Sequence, residues 1–152
     1  MPIAPSFSYI DTMWPDFPKP PPQPRPDPAI YRALGTDGVV RLIRAFYDEI
    51  GRSPIAHLFP TGEALTASAD NSALFWVTVL GGPPLYEEKH GKPMIRYRHL
   101  KFRITGSERE HWLACWEPVL AVAPEKFGFP AEHIPGFRAW ITTFSAWIVN
   151  TE

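Results

Sequence analysis

Apolar residues recur at intervals of three and four along most of the chain, which is the spacing of one face of an α-helix. The segment TDGVVRLIRAFYDEIGR has this pattern from Val39 to Ile50, and its helix is predicted to end near Gly51. A shorter helix is predicted before it, with Asp27 as the N-cap, Pro28 in the first turn and Gly35 as the stop.

The second half of the pattern predicts further helices. Residues 63–80, EALTASADNSALFWVTVL, carry two charges and predict a largely buried helix, with strand as the alternative for its β-branched end. Residues 85–106 read as loop with one short helix around His99. Ser107 and Glu110 have the spacing of a capping box, and Pro118 is expected to kink or end the helix that they begin. The last helix is predicted after Pro135, and the whole chain is predicted to be all-α.

The prolines divide the chain into two parts. Ten of the 19 prolines lie within the first 28 residues. Because proline lacks a backbone donor and disfavours a helical predecessor, residues 1–28 are predicted to be a polyproline-like or disordered extension. The extension is interpreted as flexible, with a docking strip for an aromatic-lined groove as the alternative. Residues 29–152 are predicted to be the folded domain.

Composition narrows the class of protein. A chain of 152 residues with 45% hydrophobic residues can build one core, and the single cysteine, Cys115, excludes an internal disulfide. A formal net charge of −1 argues against nonspecific binding to nucleic acid. No segment is apolar enough for a membrane span, and the N-terminus lacks the basic region of a secretory signal. The sequence predicts a cytoplasmic protein with no nucleic-acid or membrane partner.

One segment concentrates candidate chemistry. RYRHLKFRI, residues 96–104, sets His99 among four cationic and four apolar residues. It could be a nucleic-acid patch, a solvated loop, or a metal ligand whose cationic neighbours hold an anionic cofactor. The chain has no HExxH motif, no paired CxxC and no phosphate loop, so zinc is not supported. A metal that needs one protein ligand points to haem. Aromatic residues that could line a haem slot are Phe46, Phe59, Phe75, Trp76, Phe102 and Trp112.

Three segments together resemble the truncated haemoglobins and are most similar to group II of that family. They are AFYDEIGRSPIAHLFP, LGGPPLYEEKHGKP and RYRHLKFRITGSEREHWLACW. The family shows a Phe-Tyr pair late in its second helix, Gly-Gly-Pro after its distal helix, and an Arg-His-x-x-Phe-x-Ile run that bears the proximal histidine. A tryptophan follows that histidine by thirteen residues, as Trp112 follows His99 here. The resemblance covers residues 29–125.

The resemblance implies a two-over-two helical sandwich that holds haem b. It makes His99 the proximal iron ligand, and Tyr47 and Trp112 donors to a gas ligand on the distal side. The remaining positions that it assigns are Phe59, Phe75 and Phe102 against the porphyrin, Arg98 and Lys101 as propionate partners, and Ser68 and Ser72 facing the ligand from the distal helix. The alternatives from the residues alone are that Tyr47 is a core residue bonded to a carbonyl, and that Trp112 and Trp116 form a packing stripe.

The chain departs from the family pattern at five places. Gly35-Thr36 replaces the usual Gly-Gly before the second helix, and Phe59 occupies a position that is often tyrosine. Pro118 is unexpected in the helix after Trp112, and the proline-rich extension is an addition. An insertion or deletion in PTGEALTASAD affects the register of Ser68 and Ser72.

The function implied is reversible binding of O2, NO or CO at the haem iron, for scavenging, storage or sensing. NO dioxygenation or peroxide turnover is the alternative, and it requires a separate reductase. A haem-free helical adaptor that recruits partners through the extension is the third possibility.

Overall fold

The computed structural model describes residues 24–91 and 94–151, with Tyr97 described by its backbone only. Most of the proline-rich extension therefore lies outside the described residues. Within them the chain forms α-helices and 3-10 turns and no strand, which confirms the all-α prediction. The helices are α1 (Ala29–Gly51), α2 (Glu63–Val79), α3 (Leu85–His90), α4 (Ile95–His99), α5 (Gly106–Phe127) and α6 (Ile134–Ile148), with 3-10 turns at Ala56–Leu58 and Ala131–His133.

The four long helices pack as two pairs. Helix α1 lies along α2, α5 lies along α6, and α1 also packs against α5. Between the pairs the core is strongly aromatic: the ring of Phe46 stacks on the Trp116 indole with centroids 4.0 Å apart, and Phe137 meets the same indole edge-on at 5.0 Å. All three side chains are at most 1% exposed. Along the chain, the short helices α3 and α4 connect α2 to α5. His99, at the end of α4, lies beside this core. None of the described helices is long and apolar enough to cross a membrane.

The break predicted at Gly35 is present inside α1. Gly35 has φ +65° and ψ 176°, so the helix interrupts there and resumes. A positive φ favours glycine because it has no Cβ. Across this corner the hydroxyls of Tyr31 and Thr36 lie 2.8 Å apart in a hydrogen bond. Thr36, the residue that replaces a glycine of the family pattern, therefore ties the corner by its side chain.

The Gly-Gly pair after α2 is required by close packing. A Cβ at Gly82 would lie 2.6 Å from the Tyr31 ring, and a Cβ at Gly81 would lie 2.5 Å from Cβ of Pro28. Gly81 also has φ +103°. The segment can therefore turn sharply from α2 toward α3 only while both positions lack side chains. Helix α2 continues to Val79, so the strand alternative for its end is wrong.

The prediction for the start of α5 is wrong by two residues. Thr105, not Ser107, is the N-cap, and its partner is Glu108 rather than Glu110. The Thr105 side chain accepts from the backbone N–H of Ser107 at 3.2 Å, and the Glu108 carboxylate accepts from the backbone N–H of Thr105 at 2.8 Å. The Thr105 hydroxyl also donates to the Glu108 carboxylate at 2.6 Å, and this bond, together with the one from the Thr105 backbone, holds the pKa of Glu108 below its usual value. Both pairs have the same spacing in sequence, so spacing alone could not choose between them.

Helix α5 also continues through Pro118 to Phe127, so of the two outcomes expected at Pro118, a kink or an end, the end is wrong. Proline removes the hydrogen bond to the carbonyl four residues earlier, here that of Ala114. Both Ala114 and Pro118 are exposed. Water can therefore bond the carbonyl that loses its partner, and the helix is not forced to end.

Candidate functional site

A cavity of about 300 Å³ lies between the helices and is predominantly apolar. Helices α1, α2, α4, α5 and α6 and the connector after α1 all contribute to its wall. Its apolar part consists of Phe46, Ile55, Leu58, Phe59, Phe75, Trp76, Ile95, Ile104, Phe144 and Ile148. Its polar part consists of Tyr47, Ser68, Asn71, Ser72, Tyr86, Arg98, His99, Glu108, Arg109, Trp112 and Ser145.

His99, the last residue of α4, lines this cavity with a defined ring tautomer. Its Nδ1 lies 2.7 Å from the carbonyl oxygen of Ile95. A carbonyl only accepts, so Nδ1–H is the donor and Nε2 carries the lone pair. This is the arrangement of a metal-binding histidine, whose second nitrogen donates to a backbone carbonyl or carboxylate. The described residues contain no cluster of three or more His, Cys, Asp or Glu that could hold a metal by themselves.

Three hydroxyls line the cavity together. Tyr47 comes from α1, and Ser68 and Ser72, one helical turn apart on α2, lie beside its hydroxyl. Burial raises the pKa of Tyr47 above its usual value, and hydrogen bonds from Ser72 and Ser68 counter part of that effect. Tyr47 is therefore a neutral phenol at neutral pH. Its ring meets Phe59 edge-on at 5.7 Å, which restricts its rotation.

Trp112 enters the cavity from α5 and is held by rings on two sides. Phe46 meets its indole edge-on at 5.3 Å, and Trp76 lies nearly parallel to it at 6.5 Å. Within residues 24–91 and 94–151 no group accepts a hydrogen bond from the Trp112 indole N–H. An indole nitrogen can only donate. Trp112 therefore presents to the cavity a donor that the described protein does not use.

The remaining predicted residues divide into two sets. Phe75 and Arg98 line the cavity, and the Arg98 guanidinium lies 6.0 Å from the Tyr86 ring centroid near its mouth. Phe102 and Lys101 are absent from the cavity wall as described and lie at the surface. After His99 the chain turns, with Phe102 N–H donating to the His99 carbonyl at 3.0 Å, and this turn carries both side chains outward.

Sequence reasoning missed five polar wall residues, which are Asn71, Tyr86, Glu108, Arg109 and Ser145. Arg109 donates to the Ser145 hydroxyl at 3.0 Å and to the Thr142 carbonyl at 2.9 Å, which joins α5 to α6 at the cavity edge. Asn71 accepts a 2.8 Å hydrogen bond from Nε2 of His90. Arg109 and Ser145 are 36 residues apart, so no local pattern could have paired them.

Comparison with known proteins gives the family. A model of the bacterial-like globins matches residues 29–149. The group 2 truncated hemoglobin YjbI of Bacillus subtilis is 39% identical over 93 residues, which covers 60% of this chain and 69% of YjbI. The chain belongs to the group II truncated haemoglobins.

Solved structures agree with this assignment. The crystal structure of phosphate-bound Hell's gate globin IV superposes with a TM-score of 0.76 at 33% identity, over 86% of this chain and 79% of that one. The truncated oxygen-avid haemoglobin from Bacillus subtilis gives a TM-score of 0.68 at 32% identity, over 79% and 98% of the two chains. The all-α truncated globin fold predicted from the sequence is confirmed.

Membership implies that this truncated haemoglobin binds haem and, through it, a gas. The residues present fit that group. One wall offers an imidazole in the tautomer that can ligate iron, most of the lining is apolar, and the exposed Arg98 is part of the wall. The donors of Tyr47 and Trp112 open into the same cavity.

Proposed function

We propose that this truncated haemoglobin binds haem b through Nε2 of His99 and binds O2 reversibly, with Tyr47 and Trp112 as hydrogen-bond donors to the gas. The observation that carries the proposal is the 2.7 Å bond from His99 Nδ1 to Ile95 O, because it selects the ring nitrogen that can bind iron. Haem supplies a ferrous iron with one coordination position open to a diatomic gas.

The chain's part in gas selection follows from its donors. Bound O2 carries more negative charge than bound CO, so donors favour O2 over CO. The Trp112 indole is fixed as a donor, and rings on two sides hold its direction. The Ser68 and Ser72 hydroxyls offset part of the rise in the pKa of Tyr47 that burial causes, and the neutral Tyr47 hydroxyl keeps a proton that it can donate to the gas. A structural relative described as oxygen-avid supports O2 as the ligand.

Phe59 limits the number of hydrogen-bond donors to the gas, because it has no hydroxyl. Its ring occupies the connector position at which tyrosine is common in the group, and it packs on Tyr47 without a hydroxyl of its own. The proposed ligand network therefore has two principal donors, with the two serines behind Tyr47. Arg98 is proposed as the partner of a haem propionate because it lines the cavity, whereas Lys101 and Phe102 lie outside the cavity wall.

The proposal is tested by measuring whether haem binding depends on His99. Purified protein should show a Soret band that survives gel filtration, and His99→Ala should lose the band or shift it to that of haem without a histidine ligand. His57→Ala is the matched control, because the His57 ring also donates from Nδ1 to a backbone carbonyl, that of Pro54, but lies exposed outside the cavity wall. An unchanged band in His99→Ala, or equal loss in both variants, would refute the assignment.

A further inference from the structure

The surface that follows His99 combines apolar and cationic side chains. Leu100 is 49% exposed and Phe102 is 36% exposed, and the only other large hydrophobic residue that is exposed in the described chain is Val122. Arg98, Lys101 and Arg103 are also exposed. We name these five residues, Arg98, Leu100, Lys101, Phe102 and Arg103, the proximal patch. Residues 96–104 contain four of the 15 cationic residues of the chain and none of its 16 acidic residues.

Hydrogen bonds from Asn150, which lies just after α6, hold the proximal patch in a fixed shape. Its side-chain amide donates to the carbonyls of His99 at 3.1 Å and Phe102 at 3.0 Å, and its side-chain oxygen accepts from Ile104 N–H at 3.1 Å. The backbone N–H groups of Asn150 and Thr151 both donate to the Ile104 carbonyl at 3.1 Å. These bonds order the loop before any partner arrives, and preorganisation lowers the entropic cost of binding.

Two charges of the proximal patch, those of Lys101 and Arg103, are only weakly compensated within the described residues. Lys101 lies 5.2 Å above the Phe102 ring, and in the described residues neither Lys101 nor Arg103 forms an ion pair. The acidic group that Arg103 influences is Glu108, whose pKa it lowers less than the hydrogen bonds from Thr105 do. The positive potential of the patch is therefore directed mainly to solvent.

We propose that the proximal patch is the docking surface for a small acidic electron-carrier protein that reduces the haem of this globin. The inference rests on the proposed function, because it needs haem on His99. The patch begins at that histidine, and the exposed Phe102 ring lies 6.5 Å from the imidazole. An acidic carrier docked there lies one residue layer from the iron ligand, while its carboxylates meet Lys101 and Arg103.

The step is the transfer of one electron from a reduced carrier to ferric haem, which becomes ferrous as the carrier is oxidised. No covalent bond forms or breaks, and no proton moves. A [2Fe–2S] ferredoxin has the required chemistry, since it gives one electron at a time at a low reduction potential. Exposed apolar side chains at the centre of a cationic rim suit a transient protein interface, in which charge mainly raises the association rate. A nucleic acid is the competing occupant of a cationic patch, and it belongs among the outcomes of the test.

The experiment is stopped-flow reduction of the ferric holoprotein by reduced plant-type [2Fe–2S] ferredoxin at increasing salt. The test variant is Lys101→Glu/Arg103→Glu. The control is Arg41→Glu/Lys126→Glu, which makes the same change in net charge at cations that also flank an aromatic ring, Phe127, at 5.6 and 5.8 Å. At low ionic strength the second-order rate constant should fall about tenfold or more in the test variant and stay near that of the native protein in the control. The difference should vanish at high salt.

A binding measurement separates docking from haem chemistry. Calorimetric titration with oxidised ferredoxin should show weaker binding in Lys101→Glu/Arg103→Glu and in Leu100→Ser. Only Lys101→Glu/Arg103→Glu should also change how the affinity for ferredoxin depends on salt. Dithionite should reduce all holoprotein variants at one rate. The proposal is overturned if reduction by ferredoxin is independent of salt, if both double variants are slowed equally, or if duplex DNA binds the patch and ferredoxin does not. Loss of the haem spectrum in the native protein would instead refute the proposed function, and the titration would still report on docking.

Discussion

Replacing Trp112 with phenylalanine should accelerate O2 release. The indole N–H has no acceptor among the described residues, so the substitution removes a donor to the gas and leaves no protein group newly unpaired. Phenylalanine keeps an aromatic ring between Phe46 and Trp76, whose centroids lie 5.3 and 6.5 Å from the indole. The main change is therefore the loss of one hydrogen bond.

The size of the effect follows from the strength of that bond. A hydrogen bond to a charged acceptor contributes about 1.5–3 kcal/mol, which is roughly a 10- to 150-fold change in a rate or equilibrium constant. If the loss is expressed in dissociation, the O2 off-rate of Trp112→Phe should rise by about this factor. Tyr47 remains as a donor in the variant, so release should not reach the rate of a cavity without donors.

Stopped-flow displacement of O2 by CO measures the O2 off-rate. The rate of CO release, measured by displacing CO with NO, is the control for a steric effect of the substitution. Phenylalanine is smaller than tryptophan, so it also enlarges the cavity. A steric effect would change both gases, whereas a lost hydrogen bond should change mainly O2. An unchanged O2 off-rate, or equal acceleration for O2 and CO, would refute the role given to Trp112.

Three further substitutions test the site and the fold. Because the buried Tyr47 has a raised pKa, the unfolded chain ionises first as pH rises, so the native protein should lose stability above about pH 10, the ordinary tyrosine pKa. Tyr47→Phe should reduce that loss in urea titrations between pH 8 and 11, and an identical alkaline slope would contradict it. Gly82→Ala should destabilise by about 1–3 kcal/mol because its Cβ would lie 2.6 Å from the Tyr31 ring, and thermal unfolding of Gly82→Ala with and without Tyr31→Leu should show partial rescue. Thr105→Ala should cost about 1 kcal/mol by removing the α5 cap, whereas Ser107→Ala should cost much less, and equal losses in urea midpoints would show that the cap is elsewhere.

The helices that the sequence predicted well are those whose signals are local. The apolar faces of α1 and α2 and the spacing from Phe137 to Ile148 in α6 identify their buried sides, and the structure buries them. The start of α5 and its passage through Pro118 were predicted wrongly because both depend on solvent exposure and on which of two equivalent capping pairs forms.

The candidate site was predicted from a family pattern and only in part from chemistry. His99, Tyr47, Trp112 and Phe59 line one cavity, although they come from four separate segments of the chain. Lys101 and Phe102, which the resemblance assigned to the haem, lie outside the cavity wall, on a turn that is hydrogen-bonded to Asn150, 51 residues after His99. A contact between residues so far apart in sequence cannot be predicted from the local spacing of residues. The proposed docking surface rests on the outward-facing cations.

The central claim is that His99 binds the haem iron, and resonance Raman spectroscopy of the ferrous protein tests it most directly. The native protein should show an iron–histidine stretching band. His99→Gly should lose that band and regain one at a changed frequency when free imidazole fills the space left by the side chain. A band that persists unchanged in His99→Gly would show that another residue ligates the iron and would contradict the account.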